Sequence, residues 1–338
     1  MKSAAVSDPL RIAVVGAGLM GEWHAEAAAR AGGQVMRVID LDIGRARHLA
    51  RRYRHCEAST SLNFSGSERV DVVHICTPTQ THEPMAILAL RHRMHVLVEK
   101  PLAETAPATR RLFDLAASQH VLLCPVHQFL FQRGLRKAVA LLPHVAPIRH
   151  VAVATCSAGA VGQSDDVRDA IAIDIVPHFV SLVARLWPTA LTGEWDMRRA
   201  DAGELMMTTS VEGASVSLVI SMGGRPACNW LRIVGEGGTI DVDLFHGFAV
   251  RHSPAVSRRR KIVQPFAQSY AVSRAAAVNL IVRALRRNGA YPGLRELVQL
   301  FYGAIRAGQQ SPIAPQETVA VAVLRDRMLA HMTQGASR

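Results

Sequence analysis

From Arg11 to about Val126 short β-branched runs alternate with longer stretches of helical period. That texture predicts a parallel sheet with helices on its faces. The predicted strands are Ile12 to Val15, Gln34 to Ile39, Val70 to Cys76, His95 to Val98 and Val121 to Val126. Between them, amphipathic stretches such as Met20 to Ala31 and Pro84 to Arg91 have the length that right-handed crossovers require.

After a helical piece near Leu130 to Leu141 the pattern changes to consecutive strands joined by glycine-containing turns. These are His150 to Cys156, Leu205 to Val211, Ser215 to Met222, Leu231 to Val234 and Thr239 to Val242, with a helix inserted around Ile171 to Leu186. Helices near Ser273 to Arg287, Leu294 to Arg306 and Gln316 to Leu329 close the chain. The expected fold class is α/β: an N-terminal domain with a parallel sheet over 1–126, then an α+β domain with a largely antiparallel sheet over 127–338.

A chain of 338 residues, 49% hydrophobic and 20% charged, has the composition of a globular protein able to bury two cores. The formal charge of +12 raises the question of nucleic acid. The excess is mostly arginine dispersed through an alanine-rich chain without a recognisable nucleic-acid motif, so net charge alone argues solubility, and nucleic-acid binding is disfavoured. The span from Leu244 to Arg295 does lack Asp and Glu while carrying Arg251, Arg258, Arg259, Arg260, Lys261, Arg274, Arg283, Arg286, Arg287 and Arg295. Such a span is usually a solvated face; in a functional role it fits a phosphorylated or nucleotide-linked substrate better than peripheral contact with a membrane. Five widely spaced cysteines, Cys56, Cys76, Cys124, Cys156 and Cys228, fit reduced thiols in a cytoplasmic protein and form neither a disulfide framework nor a metal site. No signal peptide and no apolar run of membrane-spanning length is read.

Gly16-Ala17-Gly18-Leu19-Met20-Gly21 follows the first strand directly and opens a helix. In a dinucleotide site the first glycine makes the tight turn, the second lets backbone amides approach the pyrophosphate, and the third lets helix and strand pack closely. The phosphates then meet the free amides and dipole of the helix N-terminus. Asp40 ends the second strand, where a carboxylate accepts from the adenosine ribose hydroxyls and repels a 2′-phosphate, which favours NAD over NADP. Arg37, Arg45 and Arg47 lie close enough in sequence to complicate that choice.

Cys76-Thr77-Pro78-Thr79 and Glu99-Lys100-Pro101 each end a strand of the same sheet, where ligands bind in this fold. Lys100 is either an ordinary surface lysine or one recruited for proton work by partial burial. Asp174 and His178 stand i,i+4 on the inserted helix, as a helix-stabilising pair or as a carboxylate beside a general acid/base. Pro177 between them should kink that helix or delay its start.

Taken together, Gly16-x-Gly18-x-x-Gly21, Asp40, Cys76-Thr77-Pro78, Glu99-Lys100-Pro101 and Asp174-x-x-x-His178 resemble the glucose-fructose oxidoreductase, inositol dehydrogenase and rhizopine catabolism family, Gfo/Idh/MocA. The resemblance implies an NAD(P)-dependent oxidoreductase transferring hydride between nicotinamide and a hydroxyl carbon of a sugar, cyclic polyol or nucleotide sugar. It implies a Rossmann domain followed by an open-faced, largely antiparallel sheet domain, a nicotinamide lying between the domains and a homo-oligomer, dimer or tetramer, formed through the exposed sheet face. Lys100, Asp174 and His178 are the implied catalytic residues, and Gly16, Gly18, Leu19, Met20, Gly21, Asp40, Thr77, Pro78, His82, Glu99 and Lys100 the cofactor contacts.

Three features depart from the family pattern. Val176 stands where a glycine is common, Ser181 where a second aspartate is common, and His127-Gln128-Phe129-Leu130-Phe131-Gln132-Arg133 where a Tyr-, Asn- and Arg-rich segment is usual. His127 is therefore either a substrate contact or a structural histidine. Two other readings of the fold remain: an NAD- or sugar-sensing regulatory binding protein, and redox-assisted elimination or hydrolysis.

Overall fold

The strand Arg11–Val15 (β1) is an apolar β-branched run, buried on both faces, as a central parallel strand must be. Leu19–Arg30 (α1), Gln34–Ile39 (β2), Ile43–Ala50 (α2), Glu57–Ser59 (β3), Val72–Ile75 (β4), His82–Arg91 (α3), His95–Val98 (β5), Ala106–Ser118 (α4) and Leu123–Pro125 (β6) follow. Then come Arg133–Leu141 (α5), Ile148–Cys156 (β7), Asp165–Leu186 (α6), Asp196–Asp201 (β8), Glu204–Val211 (β9), Ala214–Ser221 (β10), Cys228–Gly235 (β11), Gly238–Asp243 (β12) and Phe248–His252 (β13). Arg258–Leu285 (α7), Leu294–Ala307 (α8) and Pro315–Gly335 (α9) complete the order. The computed structural model describes residues 8–63, 69–254, 257–286 and 291–335.

The chain divides into two units, residues 1–126 with 294–319, and residues 127–293 with 320–338. The first has a six-stranded, wholly parallel sheet in the order β3-β2-β1-β4-β5-β6. The order reverses between β1 and β4, so Gly16 and Cys76 leave the sheet side by side at its switch point, where ligands bind in open α/β sheets. Its core joins Val15, Ile39, Val73, Ile75, Val96 and Val98 of the sheet to Ala86, Leu90, Leu112 and Phe113 of the helices.

Residues 294–319 belong to this first unit, which corrects the expectation that everything after 126 forms the second. The reason is the apolar stripe of α8: Leu297, Val298, Phe301 and Tyr302 are all fully buried, and Tyr302 fits against the small Gly33 at the end of α1.

The second unit has a seven-stranded sheet, β13-β12-β11-β7-β10-β9-β8, in which β7 and β10 pair parallel and every other pair is antiparallel. One face buries Val151, Val153, Leu218, Ile220, Leu231 and Ile233, and α6 contacts β9 and β10. On the other face, Met206, Val219, Ala154 and Trp230 stand in one cross-strand row, and all but Ala154 are exposed. An apolar row on an open sheet face is a surface that water solvates poorly.

Several boundaries differ from the sequence reading. α6 starts at Asp165, and it runs through Pro177 without ending. Burial of Ala172, Val176, Phe179, Val180, Leu182 and Val183 outweighs the lost N–H, and the Ser181 hydroxyl donates to the His178 carbonyl at 2.8 Å. α7 begins at Arg258 rather than Ser273, because its basic first turns and Pro265 hide the helical period. Its expected last residue, Arg287, lies outside the described residues. The strands β3, β8 and β13 and the helices α2 and α4 were not read, β8 because Asp-Met-Arg-Arg-Ala-Asp is a polar edge strand with little alternation.

Candidate functional site

In the first unit the loop after β1 has the geometry its glycines permit. Gly16 sits at φ +93°, and a Cβ there would lie 2.7 Å from the Cys76 carbonyl oxygen. At Gly21 a Cβ would stand 1.8 Å from the Gly16 carbonyl oxygen, so only a hydrogen allows α1 to start so close to β1. At Gly18 a Cβ would meet nothing within 4 Å, leaving an open approach to the backbone. Gly18 caps α1 without a side-chain hydrogen bond, so the first amides of the helix keep their donors for a ligand. Leu19, 64% exposed, presents an apolar side chain beside them, and Met20 follows half-buried.

Asp40 closes the turn from the side. One carboxylate oxygen accepts from the Ala17 N–H at 2.7 Å and the other from the Asp42 N–H at 2.8 Å. Each oxygen keeps a lone pair, so ribose hydroxyls would share the carboxylate with the turn. Arg37 points elsewhere, donating to the Asn63 carbonyl and to Glu57 at 3.0 Å, and Arg45 lies 3.6 Å from Asp42. The carboxylate therefore dominates the end of β2.

The next two strand ends are tied together by His82, which is buried at the start of α3. Its Nδ1 is 2.8 Å from the Pro101 carbonyl oxygen and its Nε2 is 2.7 Å from that of Thr77. Thr77 also accepts from the Thr81 hydroxyl at 2.7 Å, and Pro78 begins the short turn into α3. Glu99 is buried at the end of β5 and accepts from the backbone N–H of Lys100 at 3.1 Å. Burial would raise its carboxyl pKa, but the hydrogen bond from His24, with the charge and amide of Lys100, holds it below the usual value. Lys100 itself is half-buried, and Cys76 has its thiol pushed well up by burial and by the Glu99 charge, which keeps it protonated.

In the second unit α6 carries Asp174 exposed and His178 buried, one turn apart on the same side of the helix. The His178 ring packs on Phe129 with centroids 4.7 Å apart. It borders a cavity of about 730 Å³ shared with Thr155, Cys156, Asn229, His246, Arg283 and Tyr291, with Phe129, Ile175 and Phe179 as apolar walls. Thr155 and Asn229 hydrogen-bond across β7 and β11, and the Arg283 guanidinium donates to the His246 carbonyl at 3.3 Å. His127 is buried at the first residue of this unit and does not border the cavity.

The structure thus gathers Gly16, Gly18, Leu19, Met20, Gly21, Asp40, Thr77, Pro78, His82, Glu99 and Lys100 within the first unit, and Asp174 and His178 on one helix of the second. Asn229, Arg283 and Tyr291 beside His178 were not read, since strands and loops far apart in sequence deliver them. Also missed were His24, His74 and Tyr302, a buried polar group behind Glu99. For His74 the signal was available: an imidazole inside the apolar run Val72-Val73-His74-Ile75.

A reversal of strand order, an uncapped helix behind three glycines and a carboxylate at the end of the second strand define a dinucleotide-binding protein. Residues 10–127 match the family model described as the oxidoreductase family, NAD-binding Rossmann fold, of Gfo/Idh/MocA. It is 36% identical over 108 residues to inositol 2-dehydrogenase 4 of Saccharopolyspora erythraea, covering 31% of this chain and 32% of that protein. It is 34% identical over 133 residues to UDP-N-acetylglucosamine 3-dehydrogenase of Acidithiobacillus ferrooxidans, covering 37% of this chain and 42% of that one. The chain thus matches about a third of the length of such relatives. The fold likeness extends further: the structure of the Acidithiobacillus ferrooxidans enzyme superposes with a TM-score of 0.73 at 20% identity, over 95% of this chain and 96% of that one. GenD2 from gentamicin A biosynthesis, solved with NAD, gives 0.73 at 21% identity over 99% and 97%.

Proposed function

We propose that this protein is an NAD-dependent dehydrogenase that oxidises, or in reverse forms, a CH–OH group of a sugar, cyclic polyol or nucleotide sugar. The observation that carries the reading is the first unit's crevice, where the Gly16–Gly21 turn closes on Asp40 and Lys100 follows the strand end two places from β1. The cradle fits a dinucleotide because its open Gly18 and uncapped helix offer donors to a pyrophosphate, and the Asp40 carboxylate suits an unphosphorylated ribose better than that of NADP.

When bound, NAD supplies the two-electron acceptor for the carbinol carbon. The chain's own residues handle the hydroxyl. The Lys100 ammonium donates a hydrogen bond to its oxygen and steadies negative charge developing there. By the family resemblance His178, its ring packed on Phe129 with the planes 36° apart, would take the proton, and Asp174 would orient the substrate from the preceding turn.

Arg283 on the cavity that His178 borders supports a substrate with a phosphate or diphosphate group, in keeping with the nucleotide-sugar relative. The exposed Met206, Val219 and Trp230 row supports self-association through the open sheet face. Five free cysteines support a reducing, cytoplasmic setting. Among the described residues no helix is long and apolar enough to cross a membrane.

The test is deuterium transfer. The full chain and its Lys100→Met variant are incubated with NADH deuterated on either face of C4 and a metabolite extract, and label is read by mass spectrometry. Label that appears with the parent and not the variant establishes the dehydrogenase and identifies its substrate. Tight NADH binding with no label in any metabolite moves the reading to a sensing role or to a substrate absent from that extract.

A further inference from the structure

Behind the crevice of the first unit, four buried side chains form one hydrogen-bonded file. The Tyr302 hydroxyl on α8 lies 2.9 Å from His74 Nε2 on β4, His74 Nδ1 lies 3.1 Å from His24 Nδ1 on α1, and His24 Nε2 lies 3.1 Å from Glu99 Oε1 at the end of β5. Glu99 Oε2 then accepts from the Lys100 amide at 3.1 Å. His24, His74 and Tyr302 are all fully buried.

Proton accounting gives the file a direction. An ionised carboxylate only accepts, so His24 Nε2 carries a hydrogen; a neutral imidazole has one N–H, so His24 Nδ1 accepts from His74 Nδ1–H, and His74 Nε2 accepts from the tyrosine O–H. Every polar atom of the four side chains is satisfied with one net charge, on Glu99. Burial pushes the His74 pKa well down, in agreement with a neutral ring. Arg306 and Lys100 are cations near the two ends of the file, and Cys76 is a further titratable group near Glu99.

Such a file is an expensive way to fill a core. Val72, Val73 and Ile75 flank His74 with apolar burial, and an apolar side chain at 74 would need no partner. What the file adds is a connection: it bonds α1, whose N-terminus makes the phosphate cradle, to the turn that carries Lys100. We infer that His24, His74 and Tyr302 are positioning residues that fix the Glu99 carboxylate and, through it, the ammonium of Lys100 relative to the cofactor cradle. This rests on the assignment of Lys100 as a catalytic residue, but its first test needs no substrate.

Reactivity of Lys100 toward acetic anhydride, read by mass spectrometry on the full chain, is compared for the parent, His24→Leu, His74→Phe, Tyr302→Phe and Glu99→Gln. With the carboxylate loosened or neutralised, the Lys100 amine should label faster. The expected order is His24→Leu and Glu99→Gln at about threefold, His74→Phe less, and Tyr302→Phe least, following distance along the file. His24→Leu combined with Glu99→Gln should add nothing to either alone, since both act on the same carboxylate. In turnover, His74→Phe should lower kcat about tenfold while KM and the Kd for NADH change less than twofold.

Melting temperatures of the same variants need not follow that order, which separates positioning from simple packing. Unchanged Lys100 labelling in folded His74→Phe and His24→Leu proteins would overturn the inference; if His24→Leu does not fold, Tyr302→Phe and Glu99→Gln still decide it. Should Lys100→Met retain full turnover while the labelling gradient holds, the catalytic assignment of Lys100 falls and the file stands.

Discussion

The crevice of the first unit and the cavity of the second are built by different means. The first is made of backbone: glycines at 16 and 21 that tolerate no Cβ, a helix start with open amides, and one carboxylate fastened to the turn. The second is made of side chains from α6, β7, β11, α7 and intervening loops, among them His178, Thr155, Asn229 and Arg283. A dinucleotide has one shape, so its cradle is narrowly specified; a pocket that must distinguish sugars varies by side chain on a constant frame. Substitutions in the glycine turn and at Asp40 should therefore act on cofactor affinity and folding, and those at Lys100 and in the second region on turnover.

The largest expected effects fall on chemistry. Lys100→Met and His178→Gln should each lower kcat by about 10²- to 10⁴-fold with the Kd for NADH held within twofold, as read by steady-state rates and fluorescence titration. A loss of NADH affinity equal to the loss of rate in His178→Gln would dissolve the division between the two regions.

The glycines come next and should separate from each other. Gly21→Ala places a methyl on the Gly16 carbonyl and should destabilise the protein by about 1–3 kcal/mol or more in urea unfolding. Gly18→Ala, at φ −77° with open space around it, should leave stability within about 0.5 kcal/mol of the parent. It should still weaken NADH binding, because the methyl would stand where amides meet the pyrophosphate. Equal destabilisation by both would show that Gly18 also serves packing.

Asp40 offers a smaller, sharper change. Asp40→Ser removes the carboxylate that would repel a 2′-phosphate while Arg45 stays near, and the ratio of kcat/KM for NADP over NAD should rise about tenfold, corresponding to about 1.4 kcal/mol. An unchanged ratio would move cofactor choice to another residue.

The smallest effect concerns pH. His74 is neutral in the folded protein because burial lowers its pKa, while in the unfolded chain it titrates near its ordinary value. Below that value the unfolded state binds the extra proton, so stability present above about pH 6.5 declines as pH falls toward the depressed folded pKa, by up to about 1.4 kcal/mol per pH unit. Urea midpoints at pH 7.5 and 5.5 should differ by less in His74→Phe than in the parent.

How much of this was legible depended on whether the signal was local. The β1 run, the glycine turn, Asp40 and the Glu99-Lys100-Pro101 strand end each occupy a few consecutive residues, and the structure places them at neighbouring strand ends. Helix α6 was anticipated but not its passage through Pro177, because burial of its apolar face outweighs a local rule. The return of α8 to the first unit, and with it the Tyr302–His74–His24–Glu99 file, joins residues up to 228 positions apart, which no periodicity can report.

The most direct test is a fluorescence titration of NADH into the parent, Gly18→Ala and His178→Gln. The account predicts saturable binding by the parent, at least tenfold weaker binding by Gly18→Ala, and less than a twofold change in His178→Gln. No binding by the folded parent, or a larger loss in His178→Gln than in Gly18→Ala, would contradict it.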